Sequence, residues 1–166
     1  MLDIFNLLVI FFFISFILIF VDFIFLGTVC SQDIQRDLQK LLQVYPNRIF
    51  HYAVSPDEMP RYYACSDISI IPTLYSEGTS LSCLEAQACG NVVISSNIGG
   101  LTNLIIDGYN GLLINPNEDE LLKAICLVIE DSVLRAQLSD NAKKVSAVFD
   151  KVFWSNRWKR LVFSVC

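Results

Sequence analysis

Apolar positions follow three rhythms along the chain. Residues 4–21, IFNLLVIFFFISFILIFV, are continuous, with Asn6 and Ser15 the only polar members. After them, short apolar runs alternate with stretches of helical period. The runs are VDFIFLG (21–27), RIFHY (48–52), DISIIP (67–72), VVISS (92–96) and LLI (112–114). Each reads as a strand, and Gly27 and Pro72 close two of them. Between the first two, SQDIQRDLQKLLQVY (31–45) puts Ile34, Leu38, Leu41 and Leu42 on one helical face, with Ser31 placed to cap it. Ser55-Pro56-Asp57-Glu58 has the form of a helix start. Ser55 would cap, Pro56 would take the first turn and Glu58 would complete a capping box. Residues 79–89 read as a helix ended by Gly90. Gly99-Gly100 opens a short helix to Ile106, and Asp107-Gly108-Tyr109-Asn110-Gly111 reads as a turn. Asn117 with Glu120 starts a helix over 118–130, and two more follow near 131–148 and 151–163.

Short strands, apolar on both faces and alternating with helices, predict an α/β fold: a Rossmann-like parallel sheet with helices on both faces. The chain is expected to divide into an apolar segment at 1–20 and one domain over 21–166. The apolar segment is long enough to span a bilayer as a helix, which needs about 20 such residues. That implies a membrane anchor on the cytoplasmic side. No Lys or Arg precedes it and no small-residue cleavage site follows, which argues against a cleaved signal peptide. A pair of buried strands and a misassigned gene start are the competing readings.

Composition sharpens this division. Eight of the twelve Phe lie in residues 1–26, and all twelve Lys and Arg lie at or after Arg36. The net charge of −5 argues against a nucleic-acid binder, which would carry a basic stripe. Hydrophobic residues make up 54% and charged residues 17%, which excludes a disordered chain. The six cysteines, at 30, 65, 83, 89, 126 and 166, form no CxxC pair, so zinc spacing is absent. They read as small buried hydrophobes in a reducing compartment. No metal and no cofactor is expected.

The informative stretch runs from 66 to 115. In an open parallel sheet, ligands bind beyond the carboxyl ends of the strands. There the loop PTLYSEGTSLSCLEAQACG leads into a helix whose N-terminus is rich in Gly, Thr and Ser. Its free N–H groups and dipole can hold a phosphate. Glu77 lies in the loop and Glu85 two turns into the helix, nearly on one face. Two carboxylates beside a phosphate cradle suit a nucleotide sugar, whose hydroxyls they would accept. The plainer alternative makes Glu77 a cap and Glu85 a solvated helix residue.

SEGTSLSCLEAQACG, followed by GNVVISSNIGGLTNLIIDGYNGLLINPNEDELLKAI, resembles the C-terminal, donor-binding half of group 1 glycosyltransferases, retaining GT-B enzymes of the large family 4. The resemblance runs from about Val21 to the C-terminus. It implies hexosyl transfer from a nucleotide-diphosphate sugar, with retention and without metal. By the same resemblance Glu77 would be catalytic, contacting hydroxyls of the donor sugar. Gly78, Thr79, Ser80 and Leu81 would line the sugar and diphosphate, chiefly through backbone amides, and Glu85 would hold the ribose hydroxyls. Gly99 and Gly100 resemble the loop facing the cleft, and the loop at Ala53–Ser55 lies near where the family seats its base. Trp154 and Trp158 match aromatic positions in the final helices, which pack toward the partner domain.

There are departures as well. The family sets an Arg and a Lys on the diphosphate from a βα unit preceding the strand that matches 21–27, where this chain has its apolar head. No cation lies between Arg61 and Lys123. Asn103 stands where many relatives carry Glu. The acceptor domain is absent, so the chain reads as truncated, with a separate acceptor-domain subunit as its expected partner. The competing readings are an inactive, membrane-associated nucleotide-sugar- or partner-binding half-domain and a related GT-B enzyme such as an epimerase. Donor binding separates the transferase and the inactive half-domain from a pure interaction protein. Polysaccharide or lipid-linked saccharide synthesis is the setting the family suggests.

Overall fold

The computed structural model describes residues 21–29, 31–75 and 78–164. The expected apolar helix at 1–20 lies outside them. Among the described residues no helix is long and apolar enough to cross a membrane. The chain divides into two compact units, Met1–Met59 and Pro60–Cys166.

In the first unit, β1 (Phe23–Leu26) pairs in parallel with β2 (Ile49–Tyr52), Phe23 opposite Ile49 and Leu26 opposite Tyr52. The crossover is α1 (Gln32–Val44), which buries Leu38 and Leu41. Leu41 and Ile49 form a small core with Phe23, Phe25, Leu42 and Tyr45. Ser31 occupies the cap position of α1, but its side chain makes no capping bond; its carbonyl accepts from Gln35 N instead. The Ser55–Glu58 contacts do form, with Ser55 N and Oγ donating to Glu58 Oε2 at 3.2 and 3.0 Å. They close a turn rather than a helix start, because α2 begins one residue later, at Met59–Ala64.

The second unit is built on a three-stranded parallel sheet in the order β3 (Ile68–Ile71), β4 (Val92–Ser96), β5 (Leu112–Ile114). Around it stand α3 (Leu81–Cys89), α4 (Glu118–Glu130), α5 (Ser132–Ser146) and α6 (Lys151–Ser164), with short 3₁₀ turns at Gly99–Asn103 and Ala147–Phe149. The central strand β4 is buried along its whole length. Val92 and Ile94 pack with Ile114, Leu121, Ile125 and Val128, and with Leu138 of α5. Burying one such side chain contributes about 1.5–3 kcal/mol, so this cluster dominates the unit's stability.

The parallel pairing of the strands matches the sequence pattern, but burial on both faces holds only for β4; β1, β2, β3 and β5 are mostly half-buried. Among the described residues, however, pairing gives sheets of two and three strands rather than one run of five. A four-residue apolar run declares a strand but not its neighbour. Cysteine burial is also narrower than expected. Among the described cysteines only Cys83 is buried, Cys126 is half-buried, and Cys65 and Cys89 are exposed. Each exposed thiol falls beside an apolar stretch, not inside one. Cys30 and Cys166 lie outside the described residues.

Candidate functional site

The site forms where β3 and β4 end. The loop after β3 runs to Ser80, which takes the N-cap of α3 in extended conformation and accepts a hydrogen bond from Cys83 N at 3.4 Å. Ser80 is buried and held at the cap, so α3 starts at Leu81, two residues later than the sequence pattern implied. The first-turn N–H groups of Leu81 and Ser82 precede the first intrahelical bond and are available to an anion. Gly90, at φ 88°, ends the helix as a left-handed cap.

The Gly-Gly loop after β4 lies directly against this entry. A Cβ on Gly100 would collide with the Gly78 carbonyl oxygen and come within 2.7 Å of the Gly78 carbonyl carbon and 3.1 Å of Thr79 N. Gly99 adopts φ +56°, a left-handed value suited to glycine. Two glycine loops from adjacent strands thus meet backbone to backbone, a packing that no side chain could share. The structure brings together Gly78, Thr79, Ser80, Leu81, Gly99 and Gly100 of the expected set. Gly78, Thr79 and Leu81 are exposed. Glu77 lies outside the described residues.

Glu85 stands on the exposed surface of α3, just over one turn from its start rather than two. Beside it is a group that sequence reasoning missed. Tyr63 of α2 is buried, with its hydroxyl hydrogen-bonded to the Ser82 side chain and within electrostatic reach of Glu85. Burial pushes the phenol above its usual range, the Ser82 bond pulls it down, and Glu85 raises it further. The sequence offers no spacing signal here, only a Tyr-Tyr pair before a strand. Cys83, one turn below the cap, is pushed up to about 12 by burial and remains a neutral thiol.

The turn at 107–111 is held from inside. Asn110 is fully buried; its Nδ2 donates to Leu104 O at 2.9 Å and its Oδ1 accepts from Ile106 N at 2.7 Å. Gln87 of α3 donates from Nε2 to the carbonyls of Leu104 and Asn110 at 3.5 and 3.4 Å. These bonds tie the site helix to the segment following the Gly-Gly loop. At α4, Asn117 Oδ1 accepts from Glu120 N at 2.9 Å, as the capping pattern predicted. Glu120 in turn receives Asn115 N and Nδ2 at 2.7 and 2.9 Å, and these bonds lower its pKa. Trp154 and Trp158 of α6 contact each other at 5.9 Å between ring centroids, and both remain more than half exposed. Among the described residues no cluster of His, Cys, Asp and Glu could hold a metal ion.

Comparison with known proteins gives a consistent result. The family described as "Glycosyl transferases group 1" matches residues 22–145. An uncharacterised glycosyltransferase of Methanocaldococcus jannaschii is 32% identical over 137 residues, covering 82% of this chain and 34% of that protein. The lipopolysaccharide 1,2-N-acetylglucosaminetransferase of Salmonella typhimurium is 34% identical over 104 residues, covering 61% of this chain and 26% of that protein. Among solved structures, Anabaena HepE in complex with UDP superposes with a TM-score of 0.76 at 25% identity, covering 88% of this chain and 41% of that one. Sucrose-phosphate synthase of Thermosynechococcus elongatus gives 0.68 at 26% identity, covering 86% and 39%. The chain therefore spans about a third of the length of the first of these relatives, and about two fifths of each solved chain.

Proposed function

This chain belongs to the group 1 glycosyltransferases, and from that premise we propose that it is the donor-binding half of a hexosyltransferase using a nucleotide-diphosphate sugar. The observation that carries the reading is the junction of the Gly78–Thr79 and Gly99–Gly100 backbones at the N-terminus of α3. It presents amides without side chains in their way, where a diphosphate can approach closely. Glu85 accepts the ribose hydroxyls, and Glu77 contacts the hexose hydroxyls. Transfer proceeds with retention and without metal, as the family resemblance implies. HepE, a structural neighbour, has been solved with UDP and with UDP-glucose, which supports nucleotide-sugar binding. Acceptor recognition falls to another domain or subunit.

A second reading has its own support. No Lys or Arg lies between Arg61 and Lys123, so the site segment offers the departing diphosphate no cation. Loss of one charge-stabilising donor costs about 100–1000-fold in rate. The chain alone would then bind a nucleotide sugar without transferring it, as a membrane-associated half-domain on the cytoplasmic side. Titration calorimetry of the full chain with UDP and UDP-glucose tests both readings. Saturable binding lost in Glu85→Ala supports them, and no binding by the folded chain rejects them. Sugar transfer assayed with and without a supplied acceptor domain separates the two.

A further inference from the structure

Among the described residues Tyr63 is the only buried tyrosine. A buried phenol needs a partner for its O–H, and this one finds it on Ser82 of α3 rather than on its own helix. Helix α2 has six residues, too few to hold a side chain in place unaided. It is held instead by Asn91, which is fully buried between the Gly90 cap and the start of β4. The Asn91 side-chain nitrogen donates to Tyr63 O at 2.8 Å and to Ser66 O at 3.1 Å, and its oxygen accepts from Ser69 Oγ at 2.9 Å. Ser66 Oγ closes the end of α2 by donating to Tyr62 O at 2.7 Å. The backbone of Tyr63 is thus pinned to the root of the central strand, while its hydroxyl meets the first turn of the site helix. Ser82, Glu85 and Cys89 are spaced three and four apart, on one face of α3. All three lie within reach of the Tyr63 hydroxyl, so the ring runs along the face that carries Glu85.

We propose that Tyr63 is a positioning residue for the nucleotide donor: its hydroxyl holds Ser82 and so fixes the first turn of α3, where the Ser82 N–H meets the diphosphate and Glu85 the ribose. This inference rests on the donor-binding reading given above. The first turn of a helix has N–H groups without backbone partners, and it frays unless something else holds it. The Ser80 cap bond to Cys83 N is long, at 3.4 Å against an ordinary 2.9–3.0 Å. The Tyr63–Ser82 bond is a second hold on the same turn. A turn fixed in advance spares the ligand the cost of ordering it. Burial, reinforced by the Glu85 carboxylate, raises the phenol above its usual range. The hold is therefore neutral and adds no negative charge beside the diphosphate.

The test is calorimetry of the full chain with UDP on four proteins: wild type, Tyr63→Phe, Ser82→Ala and the double variant. Phenylalanine keeps the ring in place and removes only the hydroxyl. Ser82 is exposed, so Ser82→Ala keeps its fold even where Tyr63→Phe does not. Each single variant should weaken UDP binding by about 2–12-fold, the worth of one hydrogen bond, with stoichiometry and circular dichroism unchanged. The double variant should bind no more weakly than the weaker single, because both changes remove the same bond. In ¹⁵N–¹H spectra at saturating UDP, Tyr63→Phe should shrink the UDP-induced shifts of the Ser82 and Glu85 amides and leave those of Gly99 and Gly100 as they are. Wild-type affinity in Tyr63→Phe overturns the proposal and leaves the donor-binding reading standing. Losses that add in the double variant also overturn it, since Tyr63 would then act apart from Ser82. So does a change spread evenly over the spectrum, which would mark a structural role alone. No binding by the folded wild-type chain overturns the donor-binding reading and the proposal together.

Discussion

Gly100→Ala concentrates the account of the site in one methyl group. The added Cβ would lie 2.7 Å from the Gly78 carbonyl carbon, with the Gly78 oxygen closer still. An ordinary carbon–carbon contact is about 3.5 Å, so one loop must retreat by roughly 0.8 Å. The neighbour is backbone, which cannot rotate away as a long side chain can. Overpacking of this kind costs about 1–3 kcal/mol, equivalent to a fall in Tm of about 2–12 °C for a domain this size. The displaced amides belong to the proposed diphosphate cradle. Losing one hydrogen bond to a charged group costs about 1.5–3 kcal/mol, or roughly 10–150-fold in affinity for UDP. Gly108→Ala is the control. Its φ is +70° with nothing within 4 Å of a Cβ, so it should carry a strain of about 1–2 kcal/mol and leave UDP binding unchanged. Thermal melts and calorimetry on the two variants read both effects. If G100A melts with the wild type and binds UDP equally well, the loops are not in contact and the cradle argument fails.

Glu85→Ala should reduce UDP affinity by about 10–150-fold and alter stability by less than about 0.5 kcal/mol, because Glu85 is exposed. Asn110→Ala should cost about 1–3 kcal/mol in stability, read from urea unfolding, since it leaves Ile106 N without its side-chain partner and Leu104 O with Gln87 Nε2 alone; a loss under about 0.5 kcal/mol would remove Asn110 as the turn's anchor. Cys83, buried and raised to about 12, should resist alkylation at mildly alkaline pH while Cys65 and Cys89 react, and should label only on unfolding, as peptide mass spectrometry can show. Glu120 has a folded pKa lowered by Asn115. Its contribution is therefore present above the unfolded carboxyl value of about 4.3 and is lost as pH falls through the folded pKa. Glu120→Gln should flatten that acid limb in pH-dependent melts, whereas Glu118, raised by desolvation and Asp119, acts in the opposite sense and is unaffected.

Local signals in the sequence located most elements because their causes are local. VVISS became β4 residue for residue, Asn117–Glu120 capped α4 as expected, and Gly90 ended α3. Which residue caps a helix was less legible. Ser31 had the residue type of a cap but formed no side-chain bond. Ser80 took the cap that the pattern had given to helix interior, because its hydroxyl met Cys83 N. The glycines of the site were legible as motifs, but their mutual contact was not. It depends on β3 and β4 being neighbours, which apolar runs do not encode. Tyr63 stayed hidden for the same reason, since its tie to Ser82 joins elements about twenty residues apart. The family resemblance supplied roles that spacing alone left open, and the family match now supports the class of protein, while the residue roles are the proposals that the Glu85→Ala and Gly100→Ala variants test.

The most direct test of the central claim is a ¹⁵N–¹H correlation spectrum of the full chain titrated with UDP. The account predicts saturable shifts centred on the amides of Gly78 to Ser82, Glu85, Gly99 and Gly100, with β1, α1 and β2 unmoved. A folded spectrum that does not change, or shifts that gather away from the start of α3, would contradict it.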